Sequence, residues 1–132
     1  MNWGRIALVL PAAVSAAIAI AAVRPGGIAA AQPGVWRVSR DASGNASEQV
    51  CLADPAFLAQ WEGRASTCTR TPIVEDANQV TFDFKCGNGA FGRSKMTLLT
   101  PRSLRIETQG ISGGAPFEYQ LFARRTGTCP RR

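Results

Sequence analysis

Hydrophobic and polar positions alternate along much of the chain beyond residue 78. In Gln79–Cys86, Val80, Phe82, Phe84 and Cys86 share one side, and Thr81, Asp83 and Lys85 share the other. A period of two marks a half-buried antiparallel strand. Residues 117–125 behave alike, with Phe117, Tyr119, Leu121 and Ala123 alternating with polar neighbours until Phe122 breaks step. Weaker or shorter extended runs cover residues 35–40, 48–52, 69–74, 93–99 and 104–108. Turn clusters separate them at 41–45, 75–78 and 100–103, and the Gly-rich stretch 110–116 reads as a flexible loop. Consecutive hairpins of this kind predict a mainly β fold, an antiparallel meander curled into a small barrel or half-barrel.

One segment departs from this pattern. In residues 54–63, Asp54 can cap a helix through its carboxylate, and Pro55 suits the first helical position. Phe57, Leu58 and Trp61 fall on one face, and Gly63 can end the helix in the left-handed conformation. The helix is expected to cover the mouth or one face of the sheet.

The N-terminus is different again. Arg5 precedes an uncharged, Ala-rich run over residues 6–23, and Ile28-Ala29-Ala30-Ala31 supplies small residues after it. This order describes an export leader cut after Ala31, with Ala21 as a second possible site. A retained membrane helix is the rival reading, since 18 uncharged residues approach the length of a span. On the leader reading, residues 1–31 are removed and residues 32–132 form a single domain without a membrane span, periplasmic or secreted. The net charge of +6 loses Arg5 and Arg24 and becomes +4. What remains is spread along the chain, which suits a solvated surface better than a nucleic-acid site.

Four cysteines, Cys51, Cys68, Cys86 and Cys129, all follow the leader. An even count in an exported chain predicts two disulfides. Zinc is disfavoured, because there is no His and no C-x-x-C spacing. If the hairpin over 69–86 is centred on Ala77, Val74 faces Val80 and Cys68 faces Cys86, within reach of a bridge. Cys51 is then left for Cys129.

Candidate chemistry is sparse. Gly87-Asn88-Gly89-Ala90-Phe91-Gly92 matches G-x-G-x-x-G, but a strand-like run follows Gly92 where a dinucleotide site needs a helix. It reads instead as a strand connection, and no cofactor is expected. The absence of His excludes Ser-His-Asp and Cys-His arrangements. The carboxylates Asp41, Glu48, Asp54, Glu62, Glu75, Asp76, Asp83, Glu107 and Glu118 leave a carboxylate- or metal-dependent enzyme acting on envelope components as the alternative. Asn45-Ala46-Ser47 matches a glycosylation sequon and reads as chance. The aromatic side chains read first as core. If some line a cavity instead, Trp36, Trp61, Arg93 and Tyr119 are the ligand contacts to expect, with Arg93, Lys95 and Arg105 facing an anionic group. The first reading is therefore a non-enzymatic binding or structural module, with a small apolar or anionic envelope ligand.

The order of several short motifs carries a resemblance. Pro33-Gly34-Val35-Trp36, Gln49-Val50-Cys51-Leu52, Cys68, residues 80–86, Gly92-Arg93 and residues 125–129 resemble domain of unknown function 3617, small exported proteins of Gram-negative bacteria. The family's Met- and Thr-rich strand is echoed only by Lys95-Met96-Thr97. The resemblance implies a β-rich, disulfide-bearing exported domain. It implies no activity and assigns no functional residue.

Overall fold

The computed structural model describes residues 26–131 and, ahead of them, positions 4, 9–15 and 17. Much of the apolar run and the Ala21 site lie outside the described residues. Seven strands form one antiparallel sheet: β1 (Gly34–Ser39), β2 (Glu48–Leu52), β3 (Cys68–Glu75), β4 (Gln79–Cys86), β5 (Phe91–Thr100), β6 (Ser103–Ser112) and β7 (Ala115–Gly127). Their order is β2-β1-β7-β6-β5-β4-β3. The chain makes the β1–β2 hairpin at one edge and crosses to the other edge. It then meanders back from β3 until β7 pairs with β1. The sheet stays open, with β2 and β3 at its edges. The expected meander is thus realised as a curled sheet rather than a closed barrel.

The crossing segment carries a 3₁₀ helix over Pro55–Gly63, kinked at Gln60. Asp54 caps it as expected, its carboxylate accepting the Ala56 N–H at 3.0 Å. Gly63, however, does not take the left-handed conformation, and the chain continues into a right-handed Arg64. Gly63 has no side chain for a steric reason, because a Cβ there would collide with the Cys86 Sγ. The helix lies on one face of the sheet, against β3, β4, β5 and β6. The Ser94 hydroxyl fastens it there, donating to the Ala59 carbonyl at 2.6 Å.

Between helix and sheet lies the core, built on Trp36, Val38, Leu52, Leu58, Val80, Met96, Leu104, Ile106 and Leu121. Trp36 is fully buried and donates its indole N–H to the Gln32 carbonyl at 3.0 Å, as a buried indole must find a partner. Residues 26–31, placed by the sequence on the leader side of the boundary, are folded against this core, with Ile28 and Ala31 buried in it.

Two local expectations are corrected. Cys68 does face Cys86, but a bulge between Pro72 and Val74 shifts the register, so Val74 faces Thr81 and Glu75 faces Val80. The expected loop over 110–116 is mostly strand: β6 runs to Ser112, and β7 resumes at Ala115 after Gly113-Gly114. Both glycines have positive φ (59° and 77°), which suits a two-residue hairpin turn that needs positive φ at both positions.

Both disulfides form with the expected pairing. Cys68–Cys86 crosses the β3–β4 pair with 4.0 Å between Cα atoms. Cys51–Cys129 joins the tail after β7 to the edge strand β2. In the connection between β4 and β5, Gly89 has φ 90°, and the Cys86 and Ala90 backbones bond at 2.8 Å. The glycine-rich stretch is therefore a strand connection, as its surroundings in the sequence indicated.

Candidate functional site

The sheet has two unlike faces. One carries the core and the helix. On the other, side chains line up across β3 to β7 in registered rows. Thr71, Asp83, Arg93, Gln109 and Glu118 form one row, since each faces the next across its strand pair. One row towards the connection between β4 and β5 come Thr69, Lys85, Phe91, Ile111 and Pro116. Together they line a groove of 980 Å³. An adjoining 600 Å³ hollow continues it over Thr81, Lys95, Glu107 and Gln120, sharing Arg93, Gln109 and Glu118.

The groove is shaped from below by missing side chains. Gly92 faces Gly110 across β5–β6, Phe84 faces Gly92, and Phe117 faces Gly110. A Cβ on Gly92 would collide with the Gln109 carbonyl, and one on Gly110 with the Phe91 carbonyl. The two backbones thus approach more closely than side chains allow. On the core side, Phe84 and Phe117 meet as a tilted pair with centroids 6.5 Å apart.

Charge in the groove is balanced. Arg93 donates from Nε to Asp83 Oδ1 at 2.7 Å and from Nη2 to Oδ2 at 3.2 Å. That fork holds the Asp83 carboxyl below its usual range and the Arg93 guanidinium above its own. Lys95 lies 3.9 Å from Glu107. Lys85 and Glu118 complete two positive and two negative charges in the larger groove. Phe91, which lines it, is 49% exposed, an aromatic side chain open to water.

A smaller cleft of 410 Å³ lies on the opposite face, beside the end of the helix. Arg64 stacks over Trp61 at 4.2 Å, and Arg40 over Tyr119 at 3.9 Å. The Tyr119 hydroxyl donates to Glu62 at 2.7 Å. Burial, followed by the bond to Glu62 and its negative charge, pushes the phenol above its usual range, against the opposing charges of Arg40 and Arg64. Glu48 and Asp41 line the same cleft, so its charge is also balanced.

The four expected contact residues are not brought together. Trp36 is core. Trp61 and Tyr119 flank the helix end, each under an arginine. Arg93 stands on the far face of the sheet, where Arg105 faces Thr97 two rows further along. Gln109 and the pairing of Gly92 with Gly110 escaped the sequence reading, and Asp83, Glu118 and Phe91, each singled out there, were not placed in one groove, because each reaches it only through registers that compound across strands. Among the described residues, no group of three His, Cys, Asp or Glu is placed to hold a metal ion, and no helix is long and apolar enough to cross a membrane.

Comparison with curated proteins and with solved structures returns no match. Residues 31–129, the whole sheet with both disulfides, match the family described as "Protein of unknown function (DUF3617)", and the chain belongs to that family.

Proposed function

We propose that this is a non-catalytic binding module of the cell envelope, and that its open sheet face holds an extended, uncharged glycan. The observation that carries this reading is the groove itself. Its walls offer donors and acceptors in balanced number, from Thr69, Thr71, Asp83, Lys85, Arg93, Gln109 and Glu118. The planar amide, carboxylate and guanidinium groups suit paired bonds to vicinal hydroxyls. Phe91 offers a ring face for the apolar side of a sugar. Balanced charge disfavours nucleic acid and anionic membrane, which reward an excess of positive charge.

The reading is tested by titrating the isotope-labelled protein with linear β-1,4-linked N-acetylglucosamine tetramer and following amide resonances. Shifts confined to the outward rows of β4 to β7 are expected, and they should be lost in Phe91→Ala and Gln109→Ala. No shift at millimolar tetramer or across a panel of neutral oligosaccharides would overturn it.

One arrangement favours an enzyme as the second reading. Glu107 faces Gln120 and Glu118 faces Gln109, so the two glutamates are diagonal neighbours, positions that lie about 7–8 Å apart in a sheet. Paired carboxylates of glycoside hydrolases fall in a similar range. Glu107 and Glu118 stand in an open groove, however, and Glu107 is already paired with Lys95 at 3.9 Å. Release of reducing ends from the tetramer, abolished in Glu118→Gln, would replace the binding reading with the hydrolytic one.

A further inference from the structure

Residues 26–31 would be the last six removed by a cut after Ala31, yet they are built into the domain. Residues 27–30 form a turn, and the Ala31 N–H donates to the Ile28 carbonyl at 2.9 Å. Ile28 and Ala31 are only 9% and 8% exposed, and both join the core of Trp36, Leu58, Val80 and Met96. Gly27 runs beside Val80, since a Cβ there would lie 3.3 Å from the Val80 Cβ. Backbone ties are few. The Gly27 N–H donates to the Asp76 carbonyl in the β3–β4 turn, and the Gln32 N–H to the Pro101 carbonyl in the β5–β6 turn. The second belongs to Gln32 and outlasts a cut after Ala31. Burial of two apolar side chains at the end of the core is therefore the main hold on this segment.

We propose that this seat is a ligand site: the chain fills it with Ile28 and Ala31 until export processing, and the processed domain offers it to the aliphatic chain of an uncharged amphiphile. Removing a buried isoleucine leaves an apolar hole that a close-packed core fills only in part. Holes of about 150 Å³ stay dry and admit small apolar molecules. The side chain removed is itself a four-carbon aliphatic group, so the end of an alkyl chain fits what it vacates. Gly26 is only partly buried, so the seat opens to solvent where the chain leaves it. Acidic groups flank that exit. The Glu75 carboxylate lies 3.1 Å from a Cβ placed on Gly27, and Asp76 follows it. They disfavour an anionic head group and leave an uncharged one.

The test begins with the wild-type chain exported, oxidised and purified without detergent. Its mass should equal residues 32–132 less four hydrogens. Titration with 1-octanol should then raise its melting temperature by several degrees at saturation, with amide shifts at Asp76, Val80 and Arg102. A synthetic peptide of residues 26–31 should displace the octanol. Val80→Phe should fill the seat and abolish the response. Should that variant fail to fold, Val80→Ala enlarges the seat and should favour a bulkier branched alcohol over 1-octanol. A mass that retains residues 26–31, or a processed protein blind to octanol and to the peptide, would overturn the proposal. Neither result bears on the glycan groove, whose resonances lie on the other face of the sheet.

Discussion

Gly92 and Gly110 set the shape of the outer face by what they lack. At each, an added Cβ meets a backbone carbonyl of the neighbouring strand, which cannot rotate away as a side chain can. Gly92→Ala and Gly110→Ala should each cost about 2–4 kcal/mol, the range of strained, overpacked sites. Gly127→Ala is the control, because nothing lies within 4 Å of its added methyl, and it should change stability by less than about 0.5 kcal/mol. Urea denaturation of the three variants checks the contrast, and equal stabilities would refute it. Tyr119 offers a second test at this scale, since it is the protein's single tyrosine. Its phenol is held neutral by burial and by Glu62, so absorbance near 295 nm should show no ionisation step at the ordinary tyrosine pKa of about 10 while the protein stays folded. The folded-state pKa is raised, so this group's contribution to stability is complete below pH 10. It falls as the pH climbs from there, because only the unfolded chain then gives up the proton. Glu62→Gln should bring the ionisation back towards its ordinary position. A step near pH 10 in the wild-type protein would show that the phenol is open to water.

At the scale of elements, the two disulfides close loops of very different length, 18 residues for Cys68–Cys86 and 78 for Cys51–Cys129. Loop-closure entropy then makes them worth about 3 and about 4.5 kcal/mol respectively. Replacing Cys51 and Cys129 together by serine should therefore lower the urea midpoint more than replacing Cys68 and Cys86. The reverse order would mean that contacts in the native state, such as the packing of Gly63 on the shorter bridge, outweigh chain entropy. The same two bridges show how far the elements were legible in the sequence. The alternation of β4 and the spacing about Ala77 paired Cys68 with Cys86 correctly, because the register centred on Ala77 holds from Cys68 to Pro72, beyond the bulge, and fails only next to the turn. The bulge at Ile73 was marked only by Pro72 beside it, a residue that fits an edge strand as well as a bulge and so does not by itself fix the register. Residues 110–116 misled in the opposite sense. Their glycines suggest a loop, but Gly110 serves close strand approach, and only Gly113 and Gly114 turn the chain. Of the groove, the charged residues Asp83, Arg93 and Glu118 were legible one by one, but not their meeting on one face, because that depends on the registers of four strand pairs at once.

At the scale of the whole molecule, an open sheet leaves two edges that could pair with another chain. β2 is short, five residues, and the tail is bridged to it through Cys51–Cys129. β3 is longer, eight residues, and carries Ile73 and Val74 at 41% and 54% exposure. An edge of that length with exposed β-branched side chains favours strand addition. Two features oppose it. Pro72 has no N–H to offer a partner, and the bulge beside it breaks the even row of backbone groups. Pro72→Val restores the donor and extends the run of β-branched residues, without removing anything from the core. It should leave the monomer's stability within about 0.5 kcal/mol, as expected for a surface change. It should also shift the protein towards dimers and larger species in a concentration-dependent way. Light scattering on size-fractionated samples of wild type and variant measures this directly. If the variant stays as monodisperse as the wild type at every concentration, the edge is protected by its charge and twist, and Pro72 has another role.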